Sequence, residues 1–131
     1  MDQWEAFVTV SENGEWPVAA LNLTSSTAGG LAVVEVDGIL DATTREQFAD
    51  FLSEVVASHG PDLVLDLSAV TFMDSRALGL IVHHWQTSTS AGARFALVGV
   101  RYSPSKVMWI TGLAQRLPLY ETLDEAKAAL G

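Results

Sequence analysis

Few residues in this chain are spaced for chemistry, and the clearest group is the pair Asp74-Ser75. It follows Leu63-Val64-Leu65-Asp66-Leu67, which reads as a short buried strand, and the polar stretch Ser68–Met73, which reads as a loop. It precedes Leu78, Ile81, Val82 and Trp85, spaced as the apolar stripe of a helix from about Ser75 to Ser90, with Gly92 ending it. Asp74 is then an N-cap, and that alone would explain it. It would not explain a hydroxyl at the next position, the positive end of a helix, where an added phosphate is favoured. No base stands beside Ser75 and the Gly-x-Ser-x-Gly elbow is absent, so Ser75 reads as a switch rather than a nucleophile.

The other candidate groups have plainer explanations. His83 and His84 are adjacent in a helix, diverge, and cannot share a metal; one exposed and one boundary histidine is expected. His59 suits a helix C-terminus. Asp62, Asp66 and Asp74 flank the third strand, but a phospho-aspartate receiver also needs an acidic pair after the first strand and a later Lys. They read as solvated strand-end carboxylates. Gly29-Gly30 lacks the Gly-Lys-Ser/Thr of a phosphate loop. Trp4, Trp16, Trp85 and Trp109 read as core or boundary residues, none paired with a basic patch. No metal, cofactor or catalytic set emerges, which favours a binding module over an enzyme.

The elements that position Asp74-Ser75 can be traced along the chain. Residues 1–15 read as an N-terminal extension with a short strand, Ala6 to Val10, and a turn, Ser11-Glu12-Asn13-Gly14. Residues 16–131 read as one domain. Val18–Thr24 and Leu31–Asp37, joined by the loop Ser25–Gly30, read as an antiparallel hairpin. Thr43 with Glu46 fits a capping box, starting a helix near Thr43 that buries Phe48, Phe51, Leu52, Val55 and Val56 and ends at His59-Gly60-Pro61. Arg94–Val98 is a strand, Ser105–Thr111 a short helix, Leu117–Tyr120 extended, and Leu123–Leu130 a closing helix. The order β-β-α-β-α-β-α-β-α implies an α/β fold with a mixed sheet: an opening hairpin, then parallel crossovers.

Composition narrows the function. The 131 residues suffice for one domain with a core, and the 49% apolar content fits a globular chain. No apolar run approaches a membrane span, and the acidic start Met1-Asp2-Gln3-Trp4-Glu5 is unlike a signal peptide, so a cytoplasmic protein is expected. The net charge of −9 repels nucleic acid and anionic lipid; any role in transcription would run through another protein. A monomer is the default.

Several segments in register resemble the STAS domain family, most of all bacterial anti-sigma factor antagonists, over about residues 31–130. Val36-Asp37-Gly38-Ile39-Leu40-Asp41 resembles the family's strand ending in Gly-Glu-Leu-Asp. Leu63–Ser68 and Val70–Ser75 resemble its central strand and phosphorylation loop, Phe95–Gly99 the next strand, and Ile110–Leu113, Leu117–Tyr120 and Leu123–Ala126 its C-terminal end. The resemblance implies a mixed sheet with helices mainly on one face, and a partner switch. The unphosphorylated antagonist binds an anti-sigma factor that is also a serine kinase and so frees the sigma factor. Phosphorylation ends the complex, and a serine phosphatase resets it. Carried over, Ser75 is the phosphoacceptor, and Asp41, Asp74, Arg76 and Gly79 lie with it on the partner-binding surface. Where the family usually has a small hydroxyl residue and then Gly, this chain has Arg76 and Ala77. Arg76 can pair with the phosphate, salt-bridge an acidic partner or block the kinase, which leaves a domain that binds without being phosphorylated; the alternative role is a STAS scaffold or interaction subunit of a larger sensing or transport assembly.

Overall fold

The computed structural model describes residues 8–9 and 18–131, with side chains from Ala20 onward. Strands β1 (Val8–Thr9) and β2 (Val18–Ala19) form a small antiparallel pair. The turn expected at Ser11–Gly14, Trp4 and Trp16 lie outside the described residues. The main sheet runs β3 (Leu21–Ala28), β4 (Leu31–Leu40), β5 (Leu63–Met73), β6 (Phe95–Val98) and β7 (Leu119–Tyr120), in that spatial order. β3 is antiparallel to β4, and the remaining pairs are parallel. Helix α1 (Arg45–His59) links β4 to β5, α2 (Ser75–Ser90) links β5 to β6, α3 (Lys106–Ile110) lies between β6 and β7, and α4 (Leu123–Leu130) closes the chain. Among the described residues no helix is long and apolar enough to cross a membrane.

Strand β4 shows how the sequence divides the two faces. Ala32, Val34, Val36 and Leu40 point into the larger core, against Phe48, Leu52 and Val55 of α1, Leu78 and Ile81 of α2, and Met108 of α3. Leu31 and Val33 point the other way, into a smaller core with Ala126 of α4. Glu35 and Asp37 continue that second face and are exposed. Three helices therefore cover one face and α4 covers part of the other. Each fully buried Leu or Phe contributes about 1.5–3 kcal/mol to holding these layers together.

Three features differ from the sequence reading. The segment after Leu67 is not a loop: β5 continues through Val70 to Met73. Its pairing with β4 slips twice, each time with an extra residue on β5. Inward residues therefore fall at Leu67, Val70 and Met73, with Ser68-Ala69 and Thr71-Phe72 exposed between them. A spacing of three hides a strand from a search for period two. The first hairpin strand breaks at Ala20 and resumes as β3, running through Ser25-Ser26-Thr27. This edge strand is exposed there, so it carries hydroxyl side chains. The turn is only Gly29-Gly30, with φ of 58° and 80°, the left-handed pair that suits a two-residue hairpin.

The third difference concerns Asp62, which is not a free strand-end carboxylate. It accepts from the Arg94 backbone N–H at 2.8 Å and pairs with its guanidinium at 3.1 Å. The backbone bond first, then the side-chain bond, holds the Asp62 carboxyl below its ordinary value. The histidines behave as expected: His83 is exposed and His84 half-buried, with burial and then the His83 charge holding His84 below the usual imidazole range.

Candidate functional site

Two loops at the carboxyl ends of neighbouring parallel strands form the site. One leads from β4 into α1 and the other from β5 into α2. Their strands pair up to Leu40 and Met73, so Asp41 and Asp74 emerge side by side. The Asp74 N–H donates to the Leu40 carbonyl at 2.9 Å, extending the pairing by one bond.

Asp74 has extended backbone angles (φ −103°, ψ 177°), as an N-cap requires. Its Oδ1 accepts from the N–H groups of Arg76 and Ala77, both at 3.0 Å. Its Oδ2 accepts from the N–H of Ala42 at 3.1 Å. One carboxylate thus caps α2 and ties down the opposite loop. Ser75 follows as the first residue of α2 and is exposed, as are Arg76 and Gly79. Gly79 lies four residues on, so it shares the helix face of Ser75.

Asp41 organises the other loop. Its Oδ1 accepts from the Thr43 hydroxyl, from the Thr43 N–H at 2.8 Å and from the Thr44 N–H at 3.3 Å. The Thr43 hydroxyl bond is the largest influence and holds the Asp41 carboxyl below its ordinary value, although partial burial pulls the other way. Buried Thr44 donates its hydroxyl to the Ile39 carbonyl at 2.7 Å and accepts from the Asp41 N–H at 3.1 Å. The Thr43–Glu46 capping box does not form: α1 starts at Arg45, and its cap residue Thr44 makes no side-chain cap bond. Asp41 has already taken the Thr43 and Thr44 N–H groups, so the turn is closed from upstream.

The five residues singled out from sequence therefore converge, with Asp41 and Asp74 holding the frame and Ser75, Arg76 and Gly79 facing outward. Sequence reasoning missed Ala42, Thr43 and Thr44 as parts of this frame. The Asp-x-Thr spacing at 41–43 was the available signal, since such an Asp bonds the backbone two residues on. The frame also leaves room at Gly79, where an added Cβ would meet no atom within 4 Å. Gly79→Ala is expected to raise stability by about 0.5–1 kcal/mol in urea denaturation, as for any unobstructed helix-interior glycine.

Comparison with known proteins bears on the family and the fold. The STAS domain family model matches residues 22–126. The chain is 29% identical over 109 residues to an anti-sigma-F factor antagonist of Mycobacterium tuberculosis, covering 82% of this chain and 87% of that one. The crystal structure of an anti-sigma factor antagonist from Mycobacterium paratuberculosis superposes with a TM-score of 0.74 at 31% identity, covering 84% of this chain and 93% of that chain. The phosphorylated form of the Bacillus cell fate determinant SpoIIAA superposes with a TM-score of 0.63 at 21% identity, over 86% of this chain and 100% of that chain; a likeness so distant speaks for the fold alone. A family match over most of the chain, a close structural relative and a sheet of the expected order together establish that this protein belongs to the STAS domain family.

Proposed function

We propose that this chain is an anti-sigma factor antagonist: it binds a serine-kinase anti-sigma factor, releases the sigma factor, and is switched off by phosphorylation of Ser75. The observation that carries the reading is the exposed Ser75 hydroxyl on the first residue of α2, beside a cap fixed from two sides. The names of the Mycobacterium relatives support the antagonist role. Asp41, Asp74, Arg76 and Gly79 form the contact surface around Ser75.

In the transfer step, Ser75 Oγ bonds to the γ-phosphorus of the partner's ATP as the bond to ADP breaks, and the hydroxyl proton passes to a base on the kinase. The chain itself supplies the acceptor and its presentation. The new group carries roughly −1.5 to −2 charge. The α2 N-terminus accommodates that charge locally, while partner carboxylates or apolar surface pressed against Ser75 repel or desolvate it. A serine phosphatase hydrolyses the ester and restores binding.

The test uses the serine-kinase anti-sigma factors of the source organism, each purified and incubated with Mg-ATP and either wild type or Ser75→Ala. Wild type should bind one of them and gain the mass of one phosphate; Ser75→Ala should bind and gain none. Phosphate retained on Ser75→Ala overturns the site. Stable binding without phosphorylation supports a blocking role for Arg76, and no binding to any of these kinases favours the scaffold reading.

A further inference from the structure

An apolar patch adjoins the Ser75 helix start. Phe72 is 50% exposed, Tyr102 56%, Trp109 39% and Ile110 79%. Phe72 faces outward because the second slip in β5 turns it away from the core. Tyr102 and Trp109 pack edge to face, with ring centres 5.2 Å apart. Arg101 and Pro104 border one cleft with Phe72, and the Pro104 carbonyl accepts from the Met73 N–H at 2.9 Å, one residue before Asp74. Two exposed cations, Arg101 and Lys106, stand within this segment. Neither makes an ion pair with any described residue.

Folding gives no reason to leave Phe72, the Tyr102–Trp109 pair and the neighbouring Ile110 in water around one loop, and exposed apolar surface of this kind marks interaction sites. Aromatic and Arg side chains are also the types that anchor interfaces. We infer that this patch is a second part of the partner-docking surface, receiving an apolar protein segment flanked by acidic residues on the anti-sigma factor. The inference rests on the proposed antagonist role. Two observations choose the occupant. The patch is continuous with the Ser75 surface that the partner covers. Residues 101–116 carry Arg101, Lys106 and Arg116 and no carboxylate on a chain whose net charge is −9, so an acidic segment is the local complement.

Binding of wild type, Ile110→Gln, Lys106→Glu and Lys127→Glu to each purified serine-kinase anti-sigma factor is measured by calorimetry at low and high salt. Melting temperatures and Ser75 phosphorylation are read on the same samples. Ile110 and Lys106 are exposed, so both variants are expected to melt like wild type. Each should weaken binding by about tenfold, as truncated interface anchors do, and Lys106→Glu should also flatten the salt dependence. Lys127, beside the Gly29 turn at the other end of the sheet, is the control, and Lys127→Glu should change affinity by less than about twofold, as distant surface charges do. If wild type binds and both patch variants bind equally well, the patch inference fails while the antagonist reading stands. If wild type binds none of the partners, that reading fails and the inference with it. Self-association of wild type that Ile110→Gln abolishes would assign the patch to a second copy and overturn the inference.

Discussion

Gly38→Ala is expected to destabilise the fold by about 3 kcal/mol or more, combining a left-handed backbone in a non-glycine residue with a steric clash. Gly38 has φ +119°, and a Cβ there would stand 2.2 Å from the Ala20 carbonyl oxygen and 3.1 Å from its carbon. Those atoms are backbone and cannot swing aside. The same carbonyl accepts from the Ile39 N–H at 2.9 Å, so relieving the clash breaks the bond that holds β3's start against β4. For a chain of this size each kcal/mol corresponds to roughly 3–5 °C, so the melting temperature should fall by about 10 °C or more. Damage should spread locally, because Ile39 also accepts from Thr44 and Asp41 opens the next loop. Hydrogen exchange should quicken first at Ala42–Thr44. A melting temperature within about 2 °C of wild type would show that the strand ends yield without cost, contrary to the usual effect of such substitutions.

Ser75→Glu is expected to move stability and binding in opposite directions. A carboxylate in the first turn of α2 interacts favourably with the helix dipole, by about 0.3–1 kcal/mol, so melting should hold or rise slightly. Affinity for the anti-sigma factor should fall by about a hundredfold, near 2.7 kcal/mol, since the charge meets a surface that fitted a hydroxyl. Arg76 is the neighbour able to soften that penalty. It is exposed and makes no ion pair among the described residues. Adding Arg76→Ala to Ser75→Glu should therefore deepen the loss, and a double-mutant cycle measures the coupling. Binding of Ser75→Glu equal to wild type would remove Ser75 from the interface.

What the sequence revealed follows the range of the forces involved. Asp74 as the cap of α2 was legible because capping acts over two or three residues, and the 3.6-residue stripe of α2 carried the helix. The family resemblance supplied Asp41 and Gly79; the local Asp-x-Thr signal at 41–43 was passed over, and Gly79 had none. The Asp74–Ala42 and Asp62–Arg94 contacts each join residues 32 apart, and only the sheet order brings them together. The capping box at Thr43–Glu46 was a sound local pattern that lost to a stronger competitor, since Asp41 already held the Thr43 N–H and hydroxyl it would have used. β5 was read short because its slips replace alternation with a spacing of three. Phe72 passed unnoticed for the same reason, and the outward aromatic patch with it.

The two-sided grip of Asp74 bears on the speed of encounter. A recognition loop that must first find its shape slows association, because few collisions meet the competent form. Here one carboxylate joins the helix start to the neighbouring loop across three backbone N–H groups before any partner arrives. Little ordering remains to be done on contact, so differences in affinity among variants of this surface should appear in how long the complex lasts rather than in how often it forms.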